Sequence, residues 1–129
     1  MIYLDTSVAL AQILAEDRHP PDDFWRETLA SSRLLAYELW NRINGLRLAR
    51  SHGDAVHALL GRVAFLELIT EILGRAREPF PAPVRTLDAL HLASALFLAE
   101  QGQPVRVASY DRRQLAAARA MGLDLYPLP

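Results

Sequence analysis

The chain has 129 residues, which sets the expectation of one domain, 1–129, and 51% of them are hydrophobic, enough for a core without covalent staples. A net charge of −1 excludes a protein that coats nucleic acid by bulk charge, and the absence of cysteine excludes disulfides, thiolate catalysis and zinc–thiolate sites. All fourteen basic residues are arginine, so P-loop, Schiff-base and lysine-assisted aspartyl-phosphate chemistry are excluded as well. No apolar run reaches the roughly 18 residues of a membrane span, and no basic residue precedes the apolar start. Neither a membrane anchor nor a secretion signal is expected, and a reducing cytoplasm suits the composition.

Ile2-Tyr3-Leu4 is a short apolar β-type run that stops at Asp5. Thr6 and Ser7 can then cap a helix over Val8–Ala15. His19-Pro20-Pro21 breaks the chain, and Asp22 or Asp23 can cap a short helix through Phe24 and Trp25. Arg33-Leu34-Leu35 reads as a brief strand. From Ala36, the apolar residues Leu39, Ile43, Leu46 and Ala49 recur at helical spacing. Gly53 is the expected end of that helix, and Asp54 the start of another through Leu59, Leu60 and Val63. Phe65–Ile69 is the next strand, and a helix follows that ends before Pro79. Pro79–Pro83 is a stiff loop, too short and too apolar for a linker. Thr86–Glu100 is a strongly apolar helix, closed by Gly102 and Pro104. Val105–Ser109 is a buried strand, Arg112–Met121 a helix with Gly122 as its cap, and Leu123–Tyr126 the last strand. Short strands alternating with helices predict an α/β layer fold with a mostly parallel sheet.

In open α/β sheets ligands sit outside the carboxyl ends of the strands. Asp5 and Asp111 follow two such strands, although an aspartate between strand and helix is also a routine N-cap. Asp88 opens an otherwise apolar helix, where an unpaired carboxylate facing the core is costly. Glu38 sits among apolar residues in what reads as a first helical turn, with an ion pair to Arg42 as the structural alternative. Four carboxylates brought together repel one another, and a divalent cation reverses that. All-oxygen donors suit Mg²⁺ or Mn²⁺, which can activate water and offset charge on a phosphodiester.

Four segments carry a resemblance: Tyr3-Leu4-Asp5-Thr6-Ser7, Ser32 to Leu39, Thr86 to Ala95, and Ser109-Tyr110-Asp111-Arg112-Arg113. In order and spacing they resemble the signature segments of PIN domains, above all the VapC-type toxins of toxin–antitoxin pairs. The resemblance implies a single α/β/α domain and endonucleolytic cleavage of RNA. It assigns Asp5, Glu38, Asp88 and Asp111 as acids that hold Mg²⁺ or Mn²⁺, with Thr6 and Ser109 as supporting hydroxyls. It further implies a homodimer and a cognate antitoxin partner.

Arg85, Arg112 and Arg113 flank the acids and are either phosphate contacts or solvated charge. His91, one turn after Asp88, is read as a packed or hydrogen-bonded structural histidine, with contact to the site edge or to an RNA phosphate as the alternative. Glu16, Asp17, Glu67, Glu71 and Asp124 are not expected to join the site. The competing function is a non-catalytic, partner-binding module whose acids merely cap helices. A phospho-acceptor role for Asp5 is disfavoured by Thr6-Ser7, where such folds carry a second acid, and by the missing lysine.

Overall fold

Ile2–Leu4 forms strand β1, and all three side chains are buried because they alternate between two faces that are both covered. A computed structural model describes residues 1–129. Asp5 is the N-cap of helix α1 (Thr6–Ile13), its carboxylate accepting from the Ser7 amide at 3.3 Å. Thr6 and Ser7, expected as caps, are the first residues inside the helix. The chain continues through a 3₁₀ helix (Asp22–Arg26), strand β2 (Leu29–Ser32) and helices α2 (Leu34–Gly45) and α3 (Ala49–Leu60). Strand β3 (Val63–Leu66) and helices α4 (Thr70–Ala76) and α5 (Thr86–Glu100) follow, then β4 (Arg106–Ala108), α6 (Arg112–Ala120) and β5 (Asp124–Leu125).

The five strands form one sheet in the order β3-β2-β1-β4-β5, parallel at every pairing. Ile2 and Leu4 pack on one face with Val8, Leu35, Leu39, Ile43 and Val56, from α1, α2 and α3. Tyr3 packs on the other with Leu92, Ala95, Val107 and Ala117, from α5, β4 and α6. The predicted α/β/α layering is therefore present, with the sheet wholly rather than mostly parallel.

Several boundaries differ from expectation. The strand read at Arg33–Leu35 lies earlier, at Leu29-Ala30-Ser31-Ser32, and Leu34 already begins α2. Ala and Ser favour strands poorly; here burial and side-chain bonds override that, with Ser31 Oγ donating to the Leu4 carbonyl at 2.8 Å. The break between α2 and α3 falls at Arg47, whose φ of 60° is left-handed, and not at Gly53. Gly53 lies inside α3 under the Trp40 ring, which a Cβ would meet at 3.4 Å, about van der Waals contact. Asp54 is consequently a mid-helix residue, and Val63 starts β3 instead of ending a helix. Asp22 and Asp23 lie within the 3₁₀ helix, whose N-cap is Pro21. Gly122 ends α6 at φ 82°, the left-handed position where a side chain would strain the backbone.

The two-sided core makes α2 a stability test. Ile43→Ala, at a position fully buried between α2 and the sheet, is expected to cost about 2–5 kcal/mol in urea unfolding. Leu46→Ala, three residues on and exposed, should cost below about 1 kcal/mol.

Candidate active site

From β1 the chain steps outward through β2 to β3, then crosses to the other side of β1 for β4 and β5. The order reverses between β1 and β4, so a crevice opens beyond their carboxyl ends. Asp5 and Asp111 sit there, and the β1–β4 ladder extends to the Asp5 amide, which donates to the Ala108 carbonyl at 3.0 Å.

Asp5 is almost wholly buried, at 5% exposure. Its Oδ2 accepts from the Ser7 hydroxyl at 2.5 Å, the Ser109 hydroxyl at 2.8 Å and the Ser7 amide at 3.3 Å. Its Oδ1 has no protein donor. Ser109 also accepts from the Asp111 amide at 2.9 Å, so one hydroxyl ties the two acids together. Asp111 caps α6 through Oδ1, which accepts from the amides of Arg113 at 2.9 Å and Gln114 at 3.4 Å, and its Oδ2 is free. Both aspartates are therefore helix caps, and each spends one oxygen on that role.

Asp88 occupies the first turn of α5. Burial and the charges of Asp111 and Asp5 push its pKa up, against the favourable amide of Arg85. Glu38 lies in the second turn of α2, since the helix starts at Leu34. Glu38 Oε1 does not pair with Arg42 but with Nε2 of His91, in a short bond. His91 is buried. Burial opposes its protonation, yet the Glu38 bond and the nearby Asp5 and Asp88 charges raise its pKa overall.

Glu38, Asp88, Asp111, Arg85 and Arg113 line one cleft of about 770 Å³. Arg112 is exposed and does not line it. A smaller cleft of about 450 Å³ also reaches Glu38 and includes Thr6, Asn41 and Arg42. The Thr6 hydroxyl is buried without a partner; Ser7, not Thr6, supports Asp5. Ser7 stands two residues past an N-cap aspartate, which is the one sequence signal for that contact. Glu67 pairs with Arg33 on the surface, and Asp124 is exposed in β5. Neither lines the cleft.

The donor set fits a hard cation in kind: carboxylate oxygens with hydroxyl support, no thiolate, and mutual repulsion that positive charge would relieve. No three of the acidic or imidazole side chains close on a single point as they stand.

The sequence profile of the PIN domain family matches residues 2–121, and the chain belongs to that family. Within it, the chain is similar to ribonuclease VapC47 of Mycobacterium tuberculosis (strain CDC 1551 / Oshkosh), at 28% identity over 134 residues, covering 95% of this chain and 93% of that protein. The fold is shared with VapBC2 from Rickettsia felis, solved on a DNA fragment from its promoter (TM-score 0.74, 16% identity, all of both chains). It is shared too with VapC20 of M. tuberculosis, a toxin that cleaves the sarcin–ricin loop (TM-score 0.67, 18% identity, all of both chains). A toxin–antitoxin complex from Klebsiella pneumoniae also matches (TM-score 0.62, 13% identity, 90% of this chain and 91% of that one).

A carboxyl whose pKa is raised in the folded state costs stability above that pKa, and the cost vanishes as pH falls below its unfolded value. Asp88→Asn is therefore expected to raise the melting temperature at pH 7 in EDTA. The advantage should fade towards about pH 4, near the unfolded carboxyl pKa. Melting curves of both proteins from pH 3 to 8 check this. At Asp5, Ser109→Ala should cost about 1–3 kcal/mol in urea unfolding, because it orphans buried groups. Ser109→Thr, which keeps the hydroxyl, should restore most of that.

Proposed function

We propose that this chain is a Mg²⁺- or Mn²⁺-dependent endoribonuclease and the toxin of a toxin–antitoxin pair. Asp5, Glu38, Asp88 and Asp111 are its metal-holding and catalytic acids. The observation that carries the reading is that Glu38, Asp88 and Asp111 line one cleft, where burial, and then the charges of Asp111 and Asp5, push the pKa of Asp88 up. Helix capping accounts for Asp5 and Asp111 and, through the Arg85 amide, in part for Asp88, but not for Glu38, which lies in the second turn of α2. A purely partner-binding module leaves unexplained why Glu38, Asp88 and Asp111 share one cleft.

In this reading a bound divalent ion supplies activation of water and neutralises charge building on the phosphodiester. The protein supplies the rest. Ser7 and Ser109 fix Asp5 with one oxygen turned away from its hydroxyl donors. Asp111 is fixed in the same way by the α6 amides. Arg85 and Arg113, at the cleft wall, present guanidinium forks to phosphate, and Arg112, on the adjoining surface, extends them along the strand. The RNA target is set by loops around this cleft. Tyr37 and Leu87 are exposed large apolar residues, and with Leu34, Ala36 and Trp40 they border a groove that also reaches Glu38. Such a surface suits an apolar antitoxin segment placed beside the acids. The working assembly is a homodimer that accepts that segment. No helix is long and apolar enough to cross a membrane.

Cleavage of a structured RNA pool in Mg²⁺, Mn²⁺ or EDTA tests the reading. Asp5→Asn and Asp88→Asn should each lower the rate at least about 100-fold, roughly 3 kcal/mol in the barrier. Glu67→Gln and Asp124→Asn should leave it within about twofold of wild type. Arg113→Ala should weaken RNA binding and flatten its salt dependence. Activity that persists in EDTA, or in both aspartate variants, refutes the metal-dependent nuclease. Light scattering at micromolar concentration checks the dimer.

A further inference from the structure

His91 is fully enclosed yet has both ring nitrogens bonded, and each bond leads to a different element of the site. Nδ1 meets the Tyr3 hydroxyl at 2.8 Å, and Nε2 meets Glu38 Oε1. The Tyr3 hydroxyl in turn accepts from the Ser32 amide at 3.0 Å. The chain of bonds thus starts on the backbone at the end of β2. It passes through the central strand β1, crosses to α5 at His91 and ends on α2 at the carboxylate of Glu38. Tyr3 and His91 also pack edge to face, with ring centroids 5.8 Å apart, so the imidazole has little room to tilt.

From this geometry we infer that His91 is a positioning residue for Glu38, itself oriented by Tyr3, and that the pair sets the rotamer in which Glu38 meets a divalent cation. Whether the imidazole is neutral or charged, Nε2 carries the hydrogen that Glu38 accepts. Glu38 therefore loses the freedom of a long side chain at the edge of an open cleft. Its Oε1 is committed to His91, and Oε2 is the oxygen left for the cleft. Partners of this kind are worth about 10- to 100-fold in metal affinity or activity where they have been removed from other metal sites. A histidine held only by packing would leave Nε2 without an acceptor, and a carboxylate held only by its helix would not have a donor reaching it from another element. The inference rests on the metal-dependent reading of the acids given above.

Mn²⁺ titration by calorimetry, paired with kcat and KM on RNA, tests it. Four variants of the full chain are compared with wild type after circular dichroism has shown each to be folded. His91→Leu should weaken Mn²⁺ binding about 10- to 100-fold and lower kcat, with KM for RNA nearly unchanged. His91→Asn reaches the Tyr3 hydroxyl but not Glu38, and should be as weak as His91→Leu. His91→Gln places an amide N–H near the Nε2 position and should recover most of the Mn²⁺ affinity. Tyr3→Phe keeps the ring and should give an intermediate loss. Equal Mn²⁺ affinity in wild type and His91→Leu, or no difference between His91→Gln and His91→Leu, would overturn the positioning role while leaving the nuclease reading intact. If wild type itself binds no Mn²⁺, the metal-dependent reading falls and the inference falls with it.

Discussion

The parallel pairing of β1 with β4 is the constraint on which the rest of the site depends. It holds the first residues of the chain beside residues more than a hundred positions later, and the ladder runs up to the Asp5 amide. At that edge the hydroxyl of Ser109 donates to Asp5 while accepting from the Asp111 amide. A strand slipped by one residue would turn Tyr3 to the wrong face and separate these groups together. The burial of β1 on both faces enforces the register, because Ile2 and Leu4 fill one core and Tyr3 the other.

A site made this way stores electrostatic cost. Asp5 is buried and satisfied on one oxygen only, and Asp88 is driven towards its neutral form by burial and by its acidic neighbours. In the proposed reading function and stability therefore pull apart at Asp88, because its charge is gathered for a ligand and not for the fold. The cost is contained by giving Asp5 and Asp111 a second use as helix caps, so each carboxylate stabilises α1 or α6 while keeping an oxygen free. Glu38 is contained differently, through a histidine that reaches it from α5.

The elements most legible in sequence were those with strong local signals. The bounds of α5 follow from a mainly apolar stretch closed by Gly102 and Pro104, and β1 from three apolar residues in a row. Gly122 marks the end of α6 because only a left-handed residue fits there. The errors share a cause. Ala30, Ser31 and Ser32 carry little strand preference, and Arg47 gives no hint of a left-handed turn; both conformations are imposed by neighbours distant in sequence. Gly53 reads as a helix end but lies within α3, under the Trp40 ring.

By itself the sequence determined the chemistry available: no thiolate, no lysine, and carboxylates at the ends of apolar elements. It determined the layered fold and the family, because the order of strand, acid and helix is written locally. Only the tertiary structure decided which groups meet. That Ser7 rather than Thr6 supports Asp5, that Arg113 rather than Arg112 lines the cleft, and that Glu38 answers to His91 rather than to Arg42 all depend on rotamers and packing between elements far apart in the chain. Residue type and spacing fix what a side chain can donate or accept; only the packed sheet fixes its partner.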